Sequence, residues 1–189
     1  MATRWAVRAA LAGWLSLLAL VLVFGNPWLA RSWHGQFDAT GTRFEHDVLS
    51  YPQWWVPTDP GGLPRGLGLS LTLRAVLILM VVGLLMFATA RSMGARPSGL
   101  GVMVTVWTAV VVGAGLVSAL MAPLLTMAEF GGSLPRLGGH LIDVVLVSGG
   151  SGAAYGFWVG WLPALVAAQF GRRAARGPRV AQPPVPAFR

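Results

Sequence analysis

Four long runs of apolar residues, separated by shorter polar segments, dominate the hydrophobic pattern of this chain. A helix needs roughly 20 consecutive apolar residues to cross a bilayer, and each run is longer than that. Buried helices of a water-soluble protein are a poor alternative, because runs this long and this poor in charge are costly in water. The pattern therefore predicts an all-α integral membrane protein with four transmembrane helices, over residues 9–30, 67–90, 100–125 and 141–168.

The arginines divide the connecting segments into two kinds. Three segments contain arginine and no acid: the start of the chain, residues 91–99 and residues 172–189. The segments on the opposite side mix arginines with acids. The positive-inside rule then places both termini in the cytoplasm (N-in, C-in) and makes residues 31–66 the longer outer loop. The formal charge of +8 is explained by this topology, so nucleic acid is not an expected partner.

The two ends of the chain give two further expectations. The basic start and the first apolar run resemble a signal peptide, but the run is too long and no small-x-small cleavage site follows it, so we expect an uncleaved span. Residues 1–171 are expected to form one transmembrane domain, and the basic, Pro-rich tail over 172–189 to be disordered or to lie on anionic headgroups. All basic residues except histidine are arginines, which suggests GC-rich coding and a bacterial plasma membrane.

The outer loop contains one short helical pattern. Thr42-Arg43-Phe44-Glu45 matches a capping box, apolar residues follow at helical spacing, and Pro52 ends the run. We expect a short interfacial helix over about 43–51, with its apolar face on the membrane. Tryptophans in and beside the loop are expected to anchor the headgroup region or, alternatively, to form a platform for a sugar or lipid headgroup: Trp28, Trp33, Trp54 and Trp55.

One charge lies clearly inside a span. Arg74 precedes Ala90 by 16 residues, about 24 Å, which puts it roughly 6 Å below the outer boundary of the hydrocarbon layer. Asp143 enters the membrane from the same side, and His140 lies one turn before it. We expect Arg74 and Asp143 either to form an ion pair, because an unpartnered charge in lipid is costly, or to reach the interface independently. A role in transport or proton relay is the remaining possibility.

The chain contains no pattern that meets the standard of a catalytic, metal or cofactor motif. Without cysteine it cannot carry out thiol–disulfide exchange or use Cys-ligated metal. The acids and histidines of the outer loop lack the HExxH spacing, and Gly149-Gly150-Ser151-Gly152 lacks the ending of a phosphate-binding loop. We therefore expect no catalytic residue, no metal and no cofactor, and an enzyme is not favoured.

Small residues recur every four positions in the fourth span. The other registers of this span contain bulky side chains, so this one predicts a groove that lets a neighbouring backbone approach closely. Ala114, Ser118 and Ala122 form a shorter matching row in the third span. The neighbour could be the bundle itself, a second copy or another membrane protein. The groove consists of Ser148, Gly152, Gly156, Gly160, Ala164 and Ala168.

Three hypotheses about function follow. The leading one is a non-enzymatic envelope protein or accessory subunit, which acts among membrane lipids by helix packing and by binding another membrane protein or a second copy of itself. The first alternative is a small oligomeric transporter or channel for an anionic solute, built around Arg74 and Asp143, because arginine favours an anion. The second is a binder of envelope lipid or glycan, or an enzyme acting on them, that uses the outer loop.

Overall fold

The computed structural model describes residues 2–26, 51–54, 65–93, 98–130 and 140–175. Four of the helices in this part of the chain are long and apolar enough to cross a membrane, which confirms the prediction of a helical, multi-pass membrane protein. A fifth helix follows the last of these. The helices are α1 (Ala2–Phe24), α2 (Arg65–Ser92), α3 (Gly99–Glu129), α4 (Leu141–Val159) and α5 (Trp161–Ala175).

Two expectations fall largely outside the described residues: the loop helix over about 43–51, of which only Tyr51 is described, and the tail beyond residue 175. Tyr51 itself is not helical. The last helix runs to Ala175, four residues past the expected boundary at residue 171. We call the end of the bundle where α1 ends and α2 begins the loop end, and the opposite end the tail end. The loop end is the predicted outer side.

The outward faces of the helices are apolar. Leu84, Leu120 and Val147 are largely exposed, whereas Ile78 and Val110 in the centre are fully buried. A water-soluble bundle would hide such leucines and valines, but lipid tails are as apolar as the side chains themselves. The exposed faces are therefore suited to a lipid environment.

The predicted fourth span over 141–168 is divided into two helices at Gly160. Pro163 explains the break, because it has no N–H for the carbonyl of Val159 and its ring would clash with that carbonyl in a regular helix. Backbone hydrogen bonds continue on both sides of the break. The Gly160 amide donates to the Gly156 carbonyl at 2.9 Å, and the Ala164 amide donates to the Gly160 carbonyl at 3.2 Å. The chain therefore passes from α4 to α5 without a loop.

The helices close around one another at the tail end but not at the loop end. Helix α1 packs against α2 and α5, and α3 packs against α2, α4 and α5. Among the described residues, α4 makes no extensive contact with α1 or α2. The break at Gly160 thus lets α5 reach α1 while α4 stays with α3. It leaves an opening between α1 and α4 in the loop-end half.

The small-residue groove is occupied from within the chain. A Cβ atom on Gly156 would lie 2.5 Å from the Cα of Val111, and one on Gly152 would meet the Ser118 side chain. The Ser148 hydroxyl donates to the Ser118 carbonyl at 2.9 Å. The backbone that approaches this groove is therefore that of α3. The remaining groove residues are also buried: Gly160, Ala164 and Ala168.

Candidate functional site

Residues 51–54, from the long loop between α1 and α2, occupy the opening in the loop-end half. Trp54 attaches them to α1: its amide donates to the Gly25 carbonyl at 3.1 Å, and its indole Nε1 donates to the Val21 carbonyl at 3.1 Å. Pro52 is fully buried. A Cβ on Gly25 would lie 2.5 Å from the Pro52 carbonyl oxygen, so the missing side chain at residue 25 allows this close approach.

Tyr51 connects this segment to three helices. Its ring centroid lies 5.6 Å from that of Tyr155 in α4, and 4.3 Å from the guanidinium carbon of Arg74 in α2. Its hydroxyl is hydrogen-bonded to Oγ of Ser118 in α3. The Ser118 hydroxyl donates its hydrogen to the Ala114 carbonyl at 2.6 Å. Tyr51 is therefore the donor in its hydrogen bond with Ser118. We call Tyr51, Arg74, Ser118 and Tyr155 the Tyr51 cluster.

The Tyr51 cluster lies inside the membrane-spanning part of the bundle. Ser118 is 11 residues before the end of α3 at Glu129, about 16 Å along the helix axis. Arg74 is nine residues after the start of α2, about 14 Å. The 31 residues of α3 extend about 46 Å, which exceeds a hydrocarbon thickness of about 30 Å. The cluster therefore lies in the loop-end half, a few ångströms from the midpoint of the helices.

Arg74 brings a positive charge into this half of the bundle. The residue is only 9% exposed, and its Nε has no hydrogen-bond partner. Arginine keeps its proton in proteins. A charge at the centre of a spanning helix costs about 2.5–3.5 kcal/mol on insertion scales, and a desolvated cation–π contact returns about 2 kcal/mol. The Tyr51 ring thus offsets much of the cost of the charge but leaves the Nε–H group unpaired.

The hydroxyl of Tyr155 is a second unpaired donor. Tyr155 is 2% exposed, and its buried oxygen has no hydrogen-bond partner. A buried hydroxyl without a partner costs about 1–3 kcal/mol. Tyr155 and Arg74 both contact Tyr51, so two unsatisfied donors border the same aromatic ring.

The two residues of the expected ion pair lie in different surroundings. Asp143 is largely exposed near the start of α4, and its Oδ2 is 3.5 Å from Nδ1 of His140. Arg74 is buried on α2 beside Tyr51, and α3 packs between α2 and α4. Among the described residues, no ion pair joins Arg74 to an acid. The described contact of its guanidinium is with the Tyr51 ring.

A second polar region lies at the loop end, between α3 and α4. A groove of about 480 Å³ has a mainly apolar wall, with Glu129, His140 and Asp143 around it. Within the described residues, no group of three His, Cys, Asp or Glu side chains is placed to hold a metal ion. This groove is acidic, in contrast to the cationic Tyr51 cluster.

Of the four tryptophans expected at the interface, the structure describes Trp54. It packs against the buried core and donates to α1, so it fixes the 51–54 segment to the bundle. Trp28, Trp33 and Trp55 lie outside the described residues.

Sequence reasoning identified Arg74 but not its neighbours. Tyr51 was assigned to a surface helix and Ser118 to a packing row. One signal was present: the chain has two tyrosines, and both belong to the cluster. A tyrosine inside an apolar span has a hydroxyl that needs a polar partner. Tyr155 therefore predicts other polar groups at the same level of the bundle.

No family model, no curated protein and no solved structure matches this chain. The features of this chain that bear on its function are therefore the membrane-spanning fold and the chemistry of the Tyr51 cluster.

Proposed function

We propose that this protein is an anion-binding membrane protein, which takes an anionic group into the loop-end half of its bundle at Arg74. The observation that supports this most is a buried guanidinium with an unpaired Nε–H and no acidic partner among the described residues. The Tyr155 hydroxyl is a second donor beside the same ring. The shared chemistry is a phosphate or carboxylate, carried by a solute or by a lipid headgroup.

An anion satisfies this site better than water does. Water can accept the hydrogen bonds, but it leaves the charge uncompensated in a region of low dielectric constant. An anion accepts the same hydrogen bonds and neutralises the charge, and hydrogen bonds between ionised groups are about twice as strong as neutral ones. A charged residue within a span is therefore a reason to expect a ligand of opposite charge.

The packing of the tail-end half favours a binding site over a channel. A Cβ on Gly13 of α1 would lie 3.4 Å from the Ala167 side chain and from the Pro163 carbonyl, both in α5, and 3.5 Å from Met86 of α2. Three helices thus meet closely below the cluster. The small-residue groove, which motivated the accessory-subunit hypothesis, is filled by α3 and no longer argues for an outside partner.

Thermal unfolding in a neutral detergent tests the proposal. We expect inorganic phosphate, or the anionic lipid phosphatidylglycerol, to raise the Tm of the wild type, while phosphatidylcholine does not. A ligand at a hundredfold excess over its Kd stabilises a protein by about 2.7 kcal/mol. A response to phosphate itself indicates a solute site, and a response to phosphatidylglycerol alone indicates a lipid site. Arg74→Gln should abolish either response.

Arg91→Gln is the matched control. Arg91 lies on the same helix, with its guanidinium carbon 4.1 Å from the Phe87 ring centroid, but it is exposed near the tail end. Arg91→Gln also removes one positive charge but leaves the Tyr51 cluster intact. The rise in Tm that anions cause in this variant should therefore equal that of the wild type. The proposal fails if Arg74→Gln responds to anions as the wild type does.

We also propose that the loop end faces the outside of a bacterial plasma membrane, with both termini in the cytoplasm. The arginine-bearing, acid-free segments at the tail end support this orientation. Reporter fusions at Ser98 and Ala181 should report the cytoplasm, and one at Thr42 the outside. An external report from Ala181 would contradict the orientation.

A further inference from the structure

We infer that the anion at Arg74 is the headgroup of an amphiphile, and that one hydrocarbon chain of this molecule lies in a crevice between α1 and the α4–α5 junction. The inference rests on the proposed function and names the class of its ligand. The crevice has a volume of about 160 Å³ and an almost wholly apolar wall. Its lining includes Leu20 of α1, Tyr155 and Trp158 of α4, and Leu162 of α5.

The crevice and the cationic site share a wall. Tyr155 lines the crevice and also packs its ring on Tyr51, whose ring carries the guanidinium of Arg74. Tyr51 lies between Arg74 and Tyr155, so a ligand that contacts both the guanidinium and the crevice requires the Tyr51 ring to move aside. An amphiphile has a polar headgroup at one end and an apolar chain at the other, so a single molecule can match both regions.

The order of the two regions along the bundle matches a lipid of the loop-end leaflet. Leu162 follows Tyr155 by seven residues, so the crevice extends about 10 Å from the Tyr155 level toward the tail end, and Phe24 at the end of α1 lines its opposite end. Arg74 is on the loop-end side. A lipid that enters from this side also has its headgroup toward the loop end and its chain toward the bilayer centre.

The crevice is reachable from the lipid phase. Trp158, Trp161 and Leu162 line it and remain 54%, 44% and 37% exposed on the outer face of the bundle. A chain can therefore enter sideways between the helices, as hydrocarbon does wherever an apolar gap faces the bilayer. The charge of Arg74 then selects an anionic amphiphile over the uncharged lipids of the surrounding bilayer.

Three probes separate the chain from the charge. Lysophosphatidylglycerol has one chain and an anionic headgroup, glycerol 3-phosphate has the anionic headgroup without a chain, and lysophosphatidylcholine has the chain without net charge. Titrated against the Tm of the full-length protein in neutral detergent, lysophosphatidylglycerol should saturate at a concentration at least tenfold below that of glycerol 3-phosphate. Lysophosphatidylcholine should give no saturable rise.

A pair of variants on α5 locates the chain. Leu162→Trp narrows the crevice. It should raise the concentration at which lysophosphatidylglycerol saturates the rise in Tm at least fivefold, while the response to glycerol 3-phosphate stays unchanged. Leu165→Trp is the control, because Leu165 is 38% exposed against 37% for Leu162 but does not line the crevice. If Leu162→Trp unfolds, Leu20→Phe narrows the crevice from α1 instead.

The outcomes distinguish the two proposals. If the narrowed variants bind lysophosphatidylglycerol as tightly as the wild type, the chain is elsewhere and this inference is overturned, while anion binding at Arg74 stands. The inference is equally overturned if glycerol 3-phosphate binds as well as the chain-bearing probe. If Arg74→Gln responds to both anionic probes as the wild type does, the proposed function itself fails.

Discussion

The two halves of this bundle are closed by different means. At the tail end, α1, α2 and α5 meet around Gly13, and small residues bring the backbones together. At the loop end, α4 leaves α1 uncovered, and the four residues 51–54 fill the opening with Tyr51 and Pro52. The first closure is made mainly of apolar contacts, with an indole hydrogen bond from Trp14 to the Leu79 carbonyl. The second adds a buried charge, Arg74, to the hydrogen bonds of Tyr51 and Trp54.

Under the proposed function, this difference separates the part of the bundle that provides stability from the part that binds a ligand. The tail-end half contains an unpaired buried donor as well, the neutral indole N–H of Trp5, but among the described residues no buried charge. The loop-end half contains the unpaired donors of Arg74 and Tyr155. A site that awaits a partner is usually less stable locally than the packed part that supports it. Substitutions in the two halves should accordingly differ in size and in the property that they change.

The largest effect is expected where α4 packs on α3. Gly156→Leu would place a side chain against the α3 backbone, because even a Cβ would lie 2.5 Å from the Cα of Val111. We expect a loss of about 1–3 kcal/mol, measured as thermal unfolding in detergent. Gly150→Leu is the control on the same helix, since no atom lies within 4 Å of its Cβ position, and it should stay within about 0.5 kcal/mol of wild type. Equal losses in both variants would contradict the packing of this face.

A smaller effect is expected where the 51–54 segment meets α1. Gly25→Ala should push the Pro52 carbonyl away and destabilise the protein by about 1 kcal/mol. Since the chain has no cysteine, Gln53→Cys introduces a single thiol, whose labelling rate should rise when Gly25→Ala is added. Gly66→Ala should leave the rate unchanged, because its Cβ would meet Ala128 at an ordinary 4.0 Å. An unchanged rate with Gly25→Ala would mean that the segment is not held by this contact.

The contact between Arg74 and Tyr51 should show a coupling of about 1–2 kcal/mol in a double-mutant cycle of Arg74→Met and Tyr51→Leu. The contact between Arg91 and Phe87 has similar geometry, at 4.1 Å against 4.3 Å, but is exposed. Its cycle should give about 0.5 kcal/mol. Urea or thermal unfolding of the wild type and the six variants measures both couplings. Equal couplings would mean that burial adds nothing to the cation–π contact.

The smallest effect concerns Arg74 and Asp143. Because α3 packs between their helices and Asp143 contacts His140, Arg74→Ala and Asp143→Ala should be additive in stability within about 0.3–0.5 kcal/mol. Unfolding of the two single variants and the double variant provides the test. A coupling well above this limit would restore the ion pair that the sequence suggested.

The lengths of the apolar runs were enough to locate the four spans. They did not predict where the helices end or that the last span breaks at Gly160. Helix α1 begins at Ala2 and α3 continues to Glu129, since helices extend beyond the apolar layer into the interface. The break at Gly160 was readable from Pro163, which removes one backbone donor, although hydropathy treats the residue as neutral.

The position of Arg74 in the loop-end half of its helix was predictable by counting residues, whereas its aromatic partner was not. Tyr51 belongs to a stretch with no regular hydrogen-bond pattern, and it meets residues 67 and 104 positions further along the chain, Ser118 and Tyr155. Periodicity reports which face of a helix is apolar. It does not report which loop returns into the bundle.

The insertion of 51–54 among later helices has a consequence for biosynthesis. A chain leaves the ribosome from its N-terminus, so Tyr51 is synthesised before Ser118 and Tyr155. The segment cannot reach its final position until α3 and α4 have entered the membrane. During that interval Arg74 lacks the complete aromatic and hydroxyl surroundings of the finished cluster. The proposed anion site therefore cannot be complete before α4 has been synthesised and inserted.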